Sequence, residues 1–107
     1  MKLKILETAL ETIRTLRPLM LRIRREDRGL HRQMTEAMNS LILNLSEGEY
    51  SDPGTRKARF HSACGSANEV RGGVLAAQAW GYVRPAQCEP VLAHLDRIVA
   101  TLYKLTH

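Results

Sequence analysis

Apolar residues recur every three or four positions in four successive segments of this chain, and short groups of glycine, proline and polar residues separate the segments. Steps of three and four place side chains on one face of an α-helix. No segment alternates apolar and polar residues with a period of two, so strands have little support. We therefore predict an all-α protein, an antiparallel up-down four-helix bundle in which short loops join successive helices.

The first two predicted helices each carry one apolar stripe. The first spans about residues 3 to 26, and Pro18 predicts a bend near its middle because proline removes a backbone donor. Gly29 is expected to end this helix. The second stripe runs from Leu30 to Gly48 and leads into a turn.

The third predicted helix follows helix-start signals in that turn. Ser51 or Asp52 is the candidate N-cap, and Pro53 suits the first helical position. The helix is expected to reach Trp80 and to stop at Gly81. Its stripe consists mostly of small residues, which let helices approach closely, so we expect the second and third helices to form an antiparallel hairpin.

The fourth predicted helix starts after Arg84-Pro85, and Pro90 is tolerable only if it lies in the first turn. Its apolar residues alternate steps of four and three, as in a coiled-coil seam. They are Val91, Leu95, Ile98, Leu102 and Leu105.

The third predicted helix has one weak point, Gly72-Gly73, because glycine is unfavourable in helix interiors.

The length of 107 residues suits one core, so residues 1–107 are expected to form a single domain. Two cysteines and no apolar leader indicate a cytoplasmic protein with free thiols. The uncharged stretch Val74 to Val83 is far shorter than the roughly 20 apolar residues of a membrane span. We expect no membrane association.

Two polar and glycine-containing clusters interrupt the apolar pattern of the second and third helices. Gly48 and Gly65 are expected to let these helices approach closely. The other members are expected to form a buried polar network between the helices, in which case the clusters are structural. These members are Asn44, Glu47, Ser66 and Glu69.

Metal binding and catalysis have little support in the sequence. The four histidines lie on separate segments, and only His61 has a cysteine, Cys64, at helical spacing. A zinc site usually needs four protein ligands, or three plus water, so we expect neither a metal nor another cofactor. Glu47, Glu69 and His61 could meet as an acid-base group, but no nucleophile elbow or phosphate loop accompanies them. The prediction is a non-enzymatic protein.

Positive charge is concentrated early in the chain. Residues 1 to 35 hold nine basic and four acidic side chains, a net +5 that equals the net charge of the whole chain. Four arginines of the first predicted helix fall within about 80 degrees of one another, with a fifth beside them. The four are Arg14, Arg17, Arg25 and Arg28, and the fifth, beside them, is Arg24. Such a basic stripe favours polyanionic partners.

Two further observations bear on the kind of partner. A second basic cluster, Arg56, Lys57 and Arg59, opens the third helix, where positive charge is unfavourable for the helix dipole and an external anion would offset it. Leu10 and Leu21 project from the first helix on the same side as its arginine stripe. Apolar residues among arginines are as compatible with a protein interface as with an RNA-binding surface. Aromatic residues are few, and Phe60 and Trp80 are expected in the core, so base stacking is poorly supported.

Several runs follow one another in a specific order. They are Gly29 to Met34, Ser40 to Gly48, Arg56 to Phe60, Ala63 to Glu69, and Trp80 to Val83. Together they resemble the four-helix bundle proteins encoded within intervening sequences of bacterial 23S ribosomal RNA genes. The resemblance implies a cytoplasmic bundle that assembles into a ring-like homopentamer, with kinship to the accessory variability proteins of diversity-generating retroelements, which bind a reverse transcriptase and nucleic acid. It implies no catalytic residues.

The sequence thus predicts a non-enzymatic, oligomeric nucleic-acid-associated accessory protein whose two arginine groups bind RNA or DNA phosphates, with a reverse transcriptase as a further candidate partner. The alternative is a protein-interaction scaffold that forms a homo-oligomeric ring without binding nucleic acid.

Overall fold

Four α-helices follow one another through residues 4–107, the part of the chain that the computed structural model describes. They are α1 (Lys4–Glu26), α2 (Arg28–Glu49), α3 (Pro53–Trp80) and α4 (Pro85–Thr106). Each helix packs against the next one in the chain, and α4 returns to pack against α1. This closed order confirms the predicted all-α four-helix bundle. None of these four helices is long and apolar enough to cross a membrane.

The boundary between α1 and α2 differs from the prediction. α1 ends at Glu26, and Asp27 caps α2 by accepting a hydrogen bond from the backbone N–H of Leu30 at 2.9 Å. The prediction that Gly29 ends the first helix was wrong, because an aspartate N-cap restarts the helix before the glycine is reached. Arg28, assigned above to the first helix, is instead the first residue of α2.

The other two junctions follow their sequence signals. Asp52 caps α3, where its carboxylate accepts from the Thr55 backbone N–H at 3.0 Å, and Pro53 takes the first helical position. Gly81 ends α3 with a φ of 83°, a left-handed conformation that favours glycine. Both predictions are confirmed.

Prolines and glycines interrupt the helices less than expected. α4 continues through Pro90, which lies beyond its first turn, so the predicted restriction on this proline was wrong. α3 is continuous through Gly72-Gly73, because packing against neighbouring helices supplies more stability than local propensity removes. α1 likewise continues through Pro18, and the bend there stays a prediction.

The core lies between the four helices and takes most of its side chains from the predicted stripes. The largest fully buried apolar side chains are Ile23, Met34, Leu41, Leu45, Val70, Val74, Val91, Leu95, Ile98 and Leu102. Phe60 is buried as predicted, whereas Trp80 and Leu105 are exposed. At the end of α4 a step of four from Leu102 leads to buried Thr106, whose hydroxyl donates to the Leu102 carbonyl at 2.9 Å.

Candidate nucleic-acid interface

The polar cluster between α2 and α3 consists of three hydroxyl and amide side chains. Ser66 donates a hydrogen bond from α3 to the Ser40 hydroxyl on α2 at 2.9 Å. Asn44 donates to the same hydroxyl at 3.2 Å and to the Ser40 backbone carbonyl at 2.9 Å. Asn44 and Ser66 thus join the predicted network through Ser40, which had not been assigned to it. Only the Ser66–Ser40 bond joins the two helices, because both Asn44 bonds lie within α2.

The two glutamates of the clusters lie outside this network. Glu47 is exposed and forms an ion pair with Arg59 at 2.9 Å. Glu69 is also exposed and lies ten residues after Arg59, about 15 Å further along α3. The prediction that both are buried was wrong, because their positions on the helices turn them towards solvent.

Of the two glycines in the clusters, one lies at a close contact between α2 and α3 and the other does not. Gly48 is buried, and a Cβ atom there would lie 2.5 Å from Phe60 Cε1, so this glycine does permit close packing of α2 and α3. A Cβ atom on Gly65 would meet no atom within 4 Å, so the prediction of close contact there was wrong. The second close approach is at Gly73, where a Cβ atom would lie 2.5 Å from Met34 Cγ. Sequence reasoning missed this role of Gly73 because the pair Gly72-Gly73 was interpreted as a weak point of the third helix.

The geometry does not assemble the acid-base group considered above. His61 lies against a surface depression that Lys57 and Thr106 also line, on the α4 side of α3, whereas Glu47 lies on α2 and pairs with Arg59 of α3. Cys88 is buried, and this burial raises the pKa of its thiol, which is therefore protonated at neutral pH. In residues 4–107 no three histidine, cysteine, aspartate or glutamate side chains lie close enough to hold a metal ion.

The second basic cluster is largely engaged inside the protein. Arg56 donates to the Gly48 carbonyl at 3.1 Å and to the carbonyls of Glu49 and Ser51 at 3.4 Å. Its guanidinium therefore satisfies carbonyls at the C-terminus of α2, which have no partner within the helix. With Arg59 paired to Glu47, exposed Lys57 is the member whose side chain makes no described hydrogen bond or ion pair. This arrangement removes the need for an external anion there.

The arginines of α1 divide into two groups. Arg14 forms an exposed ion pair with Glu11 at 2.9 Å, and Arg17 lies at the rim of an apolar groove between α1 and α2, beside His31. Arg24 and Arg25 are exposed in the last turn of α1, where positive charge is favourable for the helix dipole. Only the second group lies at the turn into α2.

Six exposed arginines gather at this end of the bundle. We call them the arginine end: Arg22, Arg24, Arg25, Arg28, Arg32 and Arg84. Three separate parts of the chain contribute, since α1 ends there, α2 begins there, and Arg84 is the N-cap of α4. None of the six forms an ion pair among the described residues. Sequence reasoning missed Arg84 because it is 56 positions after Arg28 in the chain. It left out Arg22, which lies further round the first helix than the predicted stripe, and it did not consider Arg32.

Two carboxylates, Glu26 and Asp27, lie at the turn from α1 to α2 among these arginines, and neither forms an ion pair within residues 4–107. Asp27 is the nearest carboxylate in the chain to Arg28, but both of its oxygens are used by other donors. Oδ1 accepts from the Leu30 N–H at 2.9 Å, and Oδ2 accepts from the Tyr82 hydroxyl at 3.1 Å. The second bond ties the α3–α4 loop to the α1–α2 turn. Partial burial, together with this hydrogen bond to a carboxylate, raises the pKa of Tyr82.

An aromatic pair borders the arginine end. Trp80 is 73% exposed, and its ring stacks on Tyr82 with 6.4 Å between ring centroids and an angle of 12° between the planes. The expectation that Trp80 belongs to the core was wrong. It is the last residue of α3, and its side chain lies at the surface.

Comparisons with known proteins identify no relative. No family model matches the chain, and neither a curated protein nor a solved structure does.

Proposed function

We propose that this protein is a non-enzymatic accessory protein that binds the phosphate backbone of RNA or DNA through the arginine end. The observation that carries the proposal is the set of six exposed arginines with no ion pair among the described residues. Unpaired guanidinium groups are the side chains best suited to bidentate contact with phosphate. Their attraction for a polyanion acts at long range and raises the rate of association.

The geometry favours this end over the opposite one. At the α2–α3 turn Arg56 and Arg59 already have internal partners, whereas at the arginine end Asp27 accepts its hydrogen bonds from Leu30 and Tyr82 and pairs with none of the six arginines. The proposed phosphate ligands therefore include Arg24, Arg25 and Arg28 from the sequence prediction, and Arg22, Arg32 and Arg84 are added to them.

The resemblance to the bundle proteins of 23S ribosomal RNA intervening sequences agrees with this proposal. In that setting the protein acts in the cytoplasm as a homopentamer, and a reverse transcriptase is a further candidate partner. Five subunits of net charge +5 would concentrate positive potential on one assembly, which strengthens binding to a structured RNA.

A mobility-shift titration with structured RNA across a salt series tests the proposal. If all six arginines contact phosphates, the slope of log K against log salt is about −4 to −5, from about −0.7 to −0.9 per contact. The variant Arg25→Gln/Arg28→Gln should reduce that slope by about 2 and weaken binding to all sequences alike. Lys57→Gln/Lys104→Gln removes the same charge from exposed positions outside the arginine end and should lower affinity much less. Equal losses in the two variants would contradict the assignment, and absence of binding at low salt would refute the function.

A homo-oligomeric scaffold is the second candidate, and one observation favours it. Leu21 is 68% exposed on α1, between the arginines, and would become buried in an interface between subunits. Leu21→Glu should then lower the molecular mass measured by light scattering. If the mass is unchanged, the Leu21 surface is not a subunit interface. Leu10 is unsuitable for this test because it is half-buried in the bundle itself.

A further inference from the structure

Trp80 is the only tryptophan of the chain, and it lies at the surface of the bundle with 73% of its area exposed. Tryptophan is the largest apolar side chain, and burying its ring would be favourable. Within the described chain, only Tyr82 forms a ring contact with it. The indole therefore presents a large flat surface to a partner.

Three hydrogen bonds hold the backbone that follows Trp80 and the Tyr82 ring beside it. The Gly81 N–H donates to the Gln78 carbonyl and the Tyr82 N–H donates to the Ala77 carbonyl, both at 2.9 Å. These two bonds form a Schellman motif, which returns the chain so that Tyr82 lies beside Trp80. The Tyr82 hydroxyl is bonded in turn to Asp27. The backbone of Trp80 and its neighbouring ring are thus positioned before a partner binds, which lowers the entropy lost on binding.

The same links place Trp80 beside the arginine end. Tyr82 contacts both the Trp80 ring and Asp27, the residue directly before Arg28. Arg84 follows Tyr82 by two residues. A flat apolar surface beside unpaired positive charges matches a nucleotide, which combines a planar base with a negative phosphate. Single-strand binders combine aromatic rings with a positively charged groove in this way.

We propose that Trp80 stacks on one unpaired base of a single-stranded segment of RNA or DNA, while the adjacent phosphates contact Arg28 and Arg84. This inference rests on the proposed phosphate binding and narrows it to strands with accessible bases. The Tyr82 ring is nearly parallel to the indole with 6.4 Å between centroids, and 73% of the Trp80 surface is exposed, which leaves room for a base on the indole. Duplexes bind through phosphates alone, because their bases are already stacked.

The single tryptophan makes the test direct, because all indole fluorescence comes from this position. We would titrate the protein with short oligo(U) RNA, oligo(dU) DNA and an abasic oligodeoxynucleotide of the same length. A base stacked on Trp80 should quench the fluorescence, whereas the abasic strand should bind without comparable quenching. The RNA and DNA arms show whether the 2′-hydroxyl contributes. Equal quenching by the abasic strand would overturn the inference.

Substitution provides the second measurement. Trp80→Ala should weaken binding to the base-containing strands about 5- to 150-fold, the range expected for loss of one stacked base. It should leave binding to the abasic strand and the salt slope unchanged, and Trp80→Phe should restore part of the affinity. Tyr50→Ala is the matched control, because Tyr50 is 83% exposed at the opposite end of the bundle. Its affinity should equal that of the unmodified protein.

The outcomes separate this inference from the function on which it rests. If Trp80→Ala binds all strands as well as the unmodified protein does, phosphate binding stands and the stacking site is refuted. If no strand binds at low salt, both are refuted. If Trp80→Ala instead lowers the oligomeric mass in light scattering, the indole belongs to an interface between copies of the chain, and the stacking proposal is wrong.

Discussion

Replacing Gly48 by alanine tests how closely α2 and α3 pack against each other. The new Cβ atom would lie 2.5 Å from Phe60 Cε1, 2.8 Å from Phe60 Cδ1 and 3.3 Å from Arg59 Cβ. The Phe60 ring is 3% exposed and has little space to move. Because protein interiors are close-packed, the ring or the helix backbone must shift.

The expected change in stability follows from two opposing effects. Overpacking a core typically costs about 1 to 3 kcal/mol. Alanine gains at most about 0.5 to 1 kcal/mol over glycine in a helix, and Gly48 lies in the last turn of α2, where that gain is small. We expect Gly48→Ala to lower the free energy of unfolding by about 1 to 2 kcal/mol. For a domain of this size the melting temperature falls by about 4 to 8 °C per kcal/mol.

Gly65→Ala is the matched control, because its Cβ atom would meet no atom within 4 Å in the middle of α3. It should raise stability by about 0.5 to 1 kcal/mol through helix propensity alone. Circular dichroism would follow thermal and urea unfolding of both variants at one protein concentration. Opposite signs support the packing argument. Stabilisation by Gly48→Ala, or equal effects of the two substitutions, would refute it.

Two further predictions concern hydrogen bonds. Ser66→Ala removes the hydrogen bond to Ser40 and should lower the free energy of unfolding, measured with urea, by about 0.5 to 1.5 kcal/mol. Ser62→Ala, at an exposed position, should change stability little. Equal effects of the two substitutions would show that the bond between the helices does not contribute. Hydrogen bonds from Thr55 lower the pKa of Asp52, so the stability that this cap contributes is present above the usual pKa of 3.8 and is lost as pH falls through the lowered pKa. The melting temperature of Asp52→Asn should therefore fall less between pH 6 and pH 3 than that of the unmodified protein. Parallel pH profiles of the two proteins would contradict this.

Local signals in the sequence were enough to place the helices. The apolar stripes, the Asp52 cap with Pro53, and the stop at Gly81 each depend on residues within one or two turns of each other. Such signals fail where two of them compete. Gly29 is typical of a helix end, but Asp27, two residues earlier, caps the start of α2. Its carboxylate accepts a hydrogen bond from the Leu30 N–H, so Gly29 lies inside α2 and does not end a helix.

The candidate site was less accessible to sequence reasoning. Arginines near one another in the sequence were grouped by helical angle, yet Arg56 and Arg59 find partners on α2, which no angle on α3 reveals. Trp80 was placed in the core because tryptophan is apolar. Its 73% exposure is a property of the packed bundle and cannot be read from the residue type.

The sequence by itself determined that this chain forms four amphipathic helices and carries an excess of positive charge, because helix formation and composition are local properties. Only the tertiary structure decided which residues meet. The register of α2 against α3 places Gly48 against Phe60 and turns Gly65 towards solvent. The α3–α4 loop returns to the α1–α2 turn, where Tyr82 stacks on Trp80 and bonds to Asp27, the residue before Arg28. These contacts join residues far apart in the chain, and their geometry is fixed by the packing of whole helices.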